Sequence, residues 1–223
     1  MFRPDHRTTW ILIGINLLVL GYTLLQPDPF SSRTLVNLGA VYGVAVGLGG
    51  EWWRLISGMF LHGGFTHIAL NMISLYIVGR IAEELMDRWS YVALYFASGI
   101  AGGAVSLAVH PDGLSVGASG AIFGLFGAIA GYAIAFRHRL GTRFGAIMRE
   151  YGGILALNLI LGLTIPGIDM SAHIGGLIVG VVGGWLMRFR HATLLWSGAT
   201  IVLALLYIVL FYPNMFVQKG AVM

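Results

Sequence analysis

The chain contains no cysteine and very little charge. Without cysteine in 223 residues, disulfides, thiolate catalysis and zinc–thiolate sites are all excluded. Charged residues make up 10% of the chain, against roughly 25% in an ordinary soluble domain. Hydrophobic residues, in contrast, make up 57%. This composition argues against a soluble fold and indicates a membrane protein.

Lysine is nearly absent too, because every positive residue except Lys219 is an arginine. The net charge of +4 does not indicate a nucleic-acid partner, since the arginines occur in short clusters between hydrophobic segments. Such spacing is typical of membrane topology and not of a phosphate-binding face. Glycine is abundant, with 33 residues that lie mostly inside the apolar segments, and this bias favours close packing of helices in lipid.

Seven segments are long and apolar enough to cross a bilayer, which takes about 20 helical residues. These predicted spans are 10–26, 55–79, 91–109, 116–136, 151–168, 171–187 and 192–212. The sequence therefore predicts an all-α, polytopic transmembrane bundle that forms one domain over residues 1–223. Residues 27–54 are predicted to form a long, membrane-associated external loop, because the apolar stretch 36–48 within them is short and interrupted by glycines.

The distribution of arginine predicts the orientation of the bundle. With seven spans, ten positive residues lie on one side and three on the other, so the positive-inside rule makes the N-terminus cytoplasmic. Counting 36–48 as a further span gives nine against four and moves the N-terminus outside, so charge alone leaves that segment open. Under either count, Ser119 and His173 lie at the end opposite the arginine-rich loop 137–149, on the extracytoplasmic face.

Two sequence motifs could carry acyl-transfer chemistry at that face. Ser119 lies in Gly-Ala-Ser-Gly at the start of the fourth span, where free backbone N–H groups and the helix dipole can stabilise an oxyanion. His173 precedes glycines at positions 176, 180 and 184, a spacing that lines one helix face. The fourth span carries a matching stripe of small residues at 120, 124 and 128, so we expect the two helices to pack closely and bring His173, as general base, to Ser119.

Other polar residues offer further roles. His67 and Asn71 lie one helical turn apart and could donate hydrogen bonds to an oxyanion, or bond a neighbouring helix. His62, His67 and His173 could instead hold a metal, but no His-Glu-x-x-His motif supports this, so we expect neither a metal nor a cofactor. Asp169 could orient His173, but its place in a short loop favours a cap and leaves a Ser-His dyad.

Five motifs in order resemble the rhomboid family of intramembrane serine proteases, between Glu51 and about Met187. They are Trp53-Arg54, the His-rich segment from Leu61 to Asn71, Gly79 to Glu83, Gly117-x-Ser119-Gly120, and Ala172-His173-x-x-Gly176-x-x-x-Gly180. The resemblance implies that Ser119 is the nucleophile and His173 the base. It also implies that His67, Asn71 and the Ser119 N–H form the oxyanion hole, and that the seventh span extends a six-helix core.

Two positions depart from the family pattern. Phe123 stands where many bacterial members have a tyrosine on the catalytic histidine, and Asp87 replaces the second glycine of Gly-x-x-x-Glu-x-x-x-Gly. We expect a protease that cleaves transmembrane proteins within the lipid bilayer, in a bacterial inner membrane. A catalytically inactive scaffold that binds membrane proteins is the alternative, and a solute transporter is disfavoured because no internal repeat is visible.

Overall fold

Helices make up most of the molecule. A computed structural model describes residues 6–164 and 168–210, apart from the side chains of residues 161 and 163. In chain order the elements are α1 (Arg7–Leu24), α2 (Ser32–Asn37), β1 (Val41–Tyr42), α3 (Gly43–Gly47), α4 (Arg54–Ser57), a 3-10 turn (Gly58–Phe60), α5 (Phe65–Leu85), α6 (Arg88–Val109), β2 (Leu114–Ser115), α7 (Ser119–Ala135), α8 (Arg137–Leu140), α9 (Thr142–Thr164), α10 (Met170–Leu186) and α11 (Ala192–Leu210).

Within the described residues, seven helices have 17 to 23 residues, and each predicted span overlaps one of them. Four of these, α1, α5, α6 and α11, are long and apolar enough to cross a membrane, while α7 and α10 are apolar but shorter. The fold is therefore an all-α membrane bundle, as the sequence predicts. The predicted end of the last span at residue 212, like Lys219, lies outside the described residues.

The starts of two predicted spans differ most from the observed helices. The helix of the second predicted span begins at Phe65 and not at residue 55, because α4, the 3-10 turn and the Gly63-Gly64 pair occupy the first part. Hydropathy cannot separate an apolar loop from an apolar helix. The helix of the fifth predicted span begins at Thr142 and not at residue 151, since the polar residues before the apolar part belong to the same helix.

Residues 27–54 form a structured segment rather than an irregular loop. The stretch 36–48 is divided among α2, β1 and α3, so it is not one helix. Arg54 is buried beneath the segment, and its Nη1 donates to the carbonyl oxygens of Val36 at 2.6 Å and Ala40 at 3.1 Å. Its Nε donates to Glu51 at 2.5 Å. One guanidinium thus holds the segment in a fixed shape.

Helix α7 places Ser119 and Arg137 at opposite ends of the bundle, because Ser119 begins this helix and Arg137 follows its end at Ala135. The Glu83 carboxylate, near the end of α5, accepts the backbone N–H groups of Thr8 and Thr9 at 2.9 and 3.1 Å, so α1 starts where α5 finishes. A carboxylate at this position also suits the positive end of the α1 dipole. Ser119 begins α7 at the other end, where α5 also starts.

Asp87, one of the two departures from the family pattern, is the N-cap of α6. Its carboxylate accepts the backbone N–H groups of Trp89 at 3.0 Å and Ser90 at 3.1 Å, and the Ser90 hydroxyl at 2.7 Å. Partial burial alone would raise the pKa of Asp87, but these hydrogen bonds outweigh it and lower that pKa. The aspartate therefore starts the helix directly after the turn from α5.

Candidate active site

Ser119 is the first residue of α7 and follows a tight turn. Gly117, two residues earlier, has φ +117°, a left-handed conformation that favours glycine. Its N–H donates to the carbonyl of Gly58 at 2.9 Å, and this bond fixes the turn against the 3-10 segment. The first intrahelical acceptor is Ala118, which bonds Ile122. The N–H groups of Ser119, Gly120 and Ala121 in the first turn of α7 therefore have no acceptor within their own helix.

A small cavity, partly open to the surroundings, lies beside Ser119. The lining residues come from five parts of the chain: Val41, Leu55, Gly58, Met59, Gly99, Gly103, Ser115, Val116, Gly117, Ser119, Gly120 and Ala172. Sequence patterns do not reveal the contribution of α6 or the 3-10 turn, because those residues are apolar or glycine and carry no chemical signal.

Helices α7 and α10 pack backbone against backbone along their glycines. A Cβ placed on Gly176 would overlap the carbonyl oxygen of Gly120, and one on Gly180 would overlap that of Gly124. A third such contact joins Gly184 to Ala128. The predicted pairing of the two small-residue stripes is confirmed, and because it proceeds in register from 120 and 176 onward, the helices run parallel.

This packing brings the start of α10 to the start of α7. A Cβ placed on Gly120 would lie 3.4 Å from the carbonyl oxygen of Ala172, the residue before His173. The His173 ring stacks on Phe123, one turn after Ser119, with centroids 4.1 Å apart and an interplanar angle of 12°. The phenylalanine that replaces tyrosine thus keeps the aromatic contact. His173 is buried, and its Nδ1 has no hydrogen-bond partner among the described residues.

His67 approaches the site from the start of α5. Its Nδ1 accepts the N–H of Gly63 at 3.3 Å, so the neutral ring carries its proton on Nε2. A Cβ placed on Gly117 would lie 2.7 Å from His67 Nε2 and 3.8 Å from Ser119 Oγ. The imidazole donor and the serine hydroxyl therefore flank the same small space above Gly117.

Asn71 lies one turn further along α5 and is buried. Its Nδ2 donates to the carbonyl of His67 at 2.9 Å. An amide carries two N–H groups, so a second donor remains for another acceptor. Asn71 thus shares a helix face with His67, as the spacing predicts.

A metal site formed by His62, His67 and His173 is disfavoured by the sequence. In the described part of the chain, no group of three metal-ligating side chains occurs. His62 lies edge-on to His67, with centroids 5.1 Å apart, whereas His173 stacks on Phe123. Burial, together with nearby His67, lowers the pKa of His62 to about 3 and keeps that ring neutral.

Asp169 is the N-cap of α10, as the sequence predicts. Its carboxylate accepts the N–H of Ala172 at 3.1 Å and the hydroxyls of Ser171 at 2.5 Å and Ser115 at 2.7 Å. Burial alone would raise the pKa of Asp169, but hydrogen bonds from these groups and from the Ser106 hydroxyl outweigh it and lower that pKa. The carboxylate is therefore charged at neutral pH, and its bonds go to groups other than the His173 ring.

Comparison with known proteins places this arrangement in one family. Residues 49–190 match the model of the Rhomboid domain. The chain is 34% identical to rhomboid protease GluP of Bacillus subtilis over 172 residues, which cover 77% of this chain and 33% of that protein. It is 41% identical to RHOMBOID-like protein 5 of Arabidopsis thaliana over 162 residues, 72% of this chain and 52% of that one.

A second bacterial relative is matched over more of its own length than these two proteins. The chain is 31% identical to rhomboid protease AarA of Providencia stuartii over 199 residues, which cover 78% of this chain and 70% of that protein. The first two relatives are longer, and the chain spans between a third and about half of their length. The Rhomboid match includes Ser119, His173, His67 and Asn71, and on this basis the chain belongs to the rhomboid family.

Proposed function

We propose that this chain is an intramembrane serine endopeptidase that hydrolyses peptide bonds in or near the transmembrane helices of other proteins. Ser119 is its nucleophile and His173 its general base. The observation that carries this proposal is the approach of α10 to α7, where Ala172 lies against Gly120 and the His173 ring stacks on Phe123. The base is thereby held over the helix turn that begins with the nucleophile.

The first chemical step follows from these positions. Ser119 Oγ attacks the scissile carbonyl carbon while His173 accepts the hydroxyl proton. The proton then passes to the leaving amine, which departs as the acyl-enzyme forms. Water, activated by the same histidine, later attacks the acyl carbon and restores the serine. In this proposal Asp169 is not an acidic third member, since its carboxylate bonds Ser115, Ser171 and the Ala172 N–H.

The negative charge that develops on the carbonyl oxygen needs hydrogen-bond donors already in place. In this proposal the donors are His67 Nε2–H, which lies beside Gly117, the Asn71 amide one turn further along α5, and the Ser119 backbone N–H. Removal of one such donor from an enzyme costs about 10²–10³ in kcat. These donors are fixed by helix α5 and by the turn before α7, so they need little reorganisation during the reaction.

The substrate and the membrane are part of the same proposal. A peptide bond inside a helix is shielded by its own hydrogen bonds, so the substrate must unwind locally, and small or helix-breaking residues near the cleaved bond favour this. The positive-inside rule places the arginine-rich end in the cytoplasm. The site then opens to the extracytoplasmic side of a bacterial inner membrane.

Cleavage of a model transmembrane substrate in proteoliposomes tests the proposal. Wild type should cleave it, while Ser119→Ala and His173→Ala should lose at least about 10³-fold in kcat. Ser197→Ala on α11, a buried serine that bonds only within its own helix, is the matched control and should retain activity. Cleavage that survives both site substitutions would contradict the dyad. A wild type that binds the substrate without cutting it would support the inactive scaffold.

A further inference from the structure

The carboxylate of Asp169 makes two kinds of contact. With Oδ1 it accepts the N–H of Ala172 and the Ser171 hydroxyl, as an N-cap does within its own first turn. With Oδ2 it accepts the hydroxyl of Ser115 at 2.7 Å, from a residue 54 positions earlier in the chain. The second contact is not needed to cap α10, and it joins two segments that lie far apart in the chain. The Ser106 hydroxyl on α6 bonds the same carboxylate.

Ser115 lies on the short segment that leads to the nucleophile. It ends β2 and pairs with Val41 of β1, and Ser119 follows four residues later. Between them, Gly117 is fixed by its bond to Gly58. The positions of Ser115 and Gly117 together therefore determine where α7 begins.

On its other side, Asp169 is part of the first turn of α10. Its backbone carbonyl accepts the N–H of His173 at 3.2 Å. The His173 ring nitrogen Nδ1 has no hydrogen-bond partner in the described part of the chain. Asp169 thus contacts the backbone of His173 and not its ring. In a Ser-His-Asp triad, by contrast, the aspartate bonds the Nδ1–H of the histidine ring.

We propose that Asp169 is a positioning residue that sets the separation of Ser119 and His173 through its hydrogen bond to Ser115. This inference rests on the proposed Ser119–His173 dyad. A hydrogen bond to an ionised carboxylate is roughly twice as strong as one between neutral groups. The Ser115–Asp169 bond therefore holds the starts of α7 and α10 at a fixed separation, at the end where Ser119 and His173 lie.

Three serine variants separate this role from helix capping. Ser115→Ala removes the bond between segments and leaves the cap intact, whereas Ser171→Ala removes a hydroxyl from the same carboxylate within its own turn. Ser115→Thr keeps the hydroxyl. We expect Ser115→Ala to lower kcat and the rate of fluorophosphonate labelling by about tenfold or more, because small misplacements of reacting groups are costly. KM should change less than kcat does, since the lost bond positions the reacting groups.

The control variants distinguish a positioning role from helix capping. Ser171→Ala should remain within about twofold of wild type, and Ser115→Thr should recover most of the lost kcat. Equal loss in Ser115→Ala and Ser171→Ala would assign Asp169 to capping alone and overturn the inference. So would a Ser115→Ala protein that unfolds at lower temperature but keeps the wild-type kcat in its folded fraction.

The proposed function can fail separately from the positioning role. If wild type shows no labelling that depends on Ser119, the dyad and the inference that rests on it are both wrong. If wild type is labelled at Ser119 and Ser115→Ala is labelled at the same rate, only the positioning role of Asp169 is wrong.

Discussion

Replacement of Gly180 by alanine should force α7 and α10 apart. A Cβ at this position would overlap the carbonyl oxygen of Gly124, with the carbonyl carbon and Cα of that residue at 2.6 and 2.8 Å. Carbon atoms pack at about 3.5–4.0 Å, and a helix backbone cannot rotate away as a side chain can. The helices must therefore separate by about 1 Å at this point.

The expected loss of stability follows from two opposing effects. Overpacking costs about 1–3 kcal/mol, while alanine is favoured over glycine in a helix by up to about 1 kcal/mol. We expect a net loss of about 1–2 kcal/mol in the free energy of unfolding, measured in detergent micelles. A 1 Å shift between reacting groups can cost about 10²-fold in rate, so fluorophosphonate labelling should slow by more than the stability loss alone would cause.

Gly198→Ala on α11 is the matched control, because no atom lies within 4 Å of a Cβ built there. This variant should be as stable as wild type or more so, with unchanged labelling. A Gly180→Ala protein that unfolds and reacts like Gly198→Ala would refute the reasoning that close α7–α10 packing holds the site together.

Three further predictions address other contacts. Glu83→Gln should lower the free energy of unfolding by about 1–3 kcal/mol, because the carboxylate caps α1, whereas Glu84→Gln on the exposed side should change it by less than about 0.5 kcal/mol. Phe123→Ala should slow labelling by about 2–10-fold through loss of the stacked ring, and Phe123→Tyr should keep the wild-type rate. Wild type should be more stable than Asp169→Asn, because hydrogen bonds lower the pKa of Asp169 in the folded protein. This advantage should be complete above about pH 3.9, the pKa of an aspartate in the unfolded chain, and should shrink as the pH falls through the lower pKa of the folded state. Unfolding measured between about pH 6 and pH 3 would test this.

The glycine pattern is the part of the architecture that sequence predicts best. Small residues four positions apart on α7 and α10 define a face on each helix, and the only partner that suits such a face is another backbone. The contact of Gly176 with Gly120 and of Gly180 with Gly124 confirms this pairing. The N-cap role of Asp169 is predictable for a similar reason, since its local sequence decides it.

Contacts between distant segments could not be predicted in the same way. The start of α5 at Phe65 depends on tertiary packing of the apolar residues before it, which hydropathy does not register. Strands β1 and β2 have two residues each and are too short to show an alternating pattern. The bond from Ser115 to Asp169 joins two ordinary polar residues far apart in sequence, and neither residue alone indicates the other.

The most direct test of the dyad is to react the folded protein with a fluorophosphonate and locate the adduct by mass spectrometry. The proposed arrangement predicts a single adduct on Ser119 that disappears in Ser119→Ala and forms at least about 10²-fold more slowly in His173→Ala. An adduct on another serine, or labelling of Ser119 at an unchanged rate without His173, would contradict the assignment of these two residues.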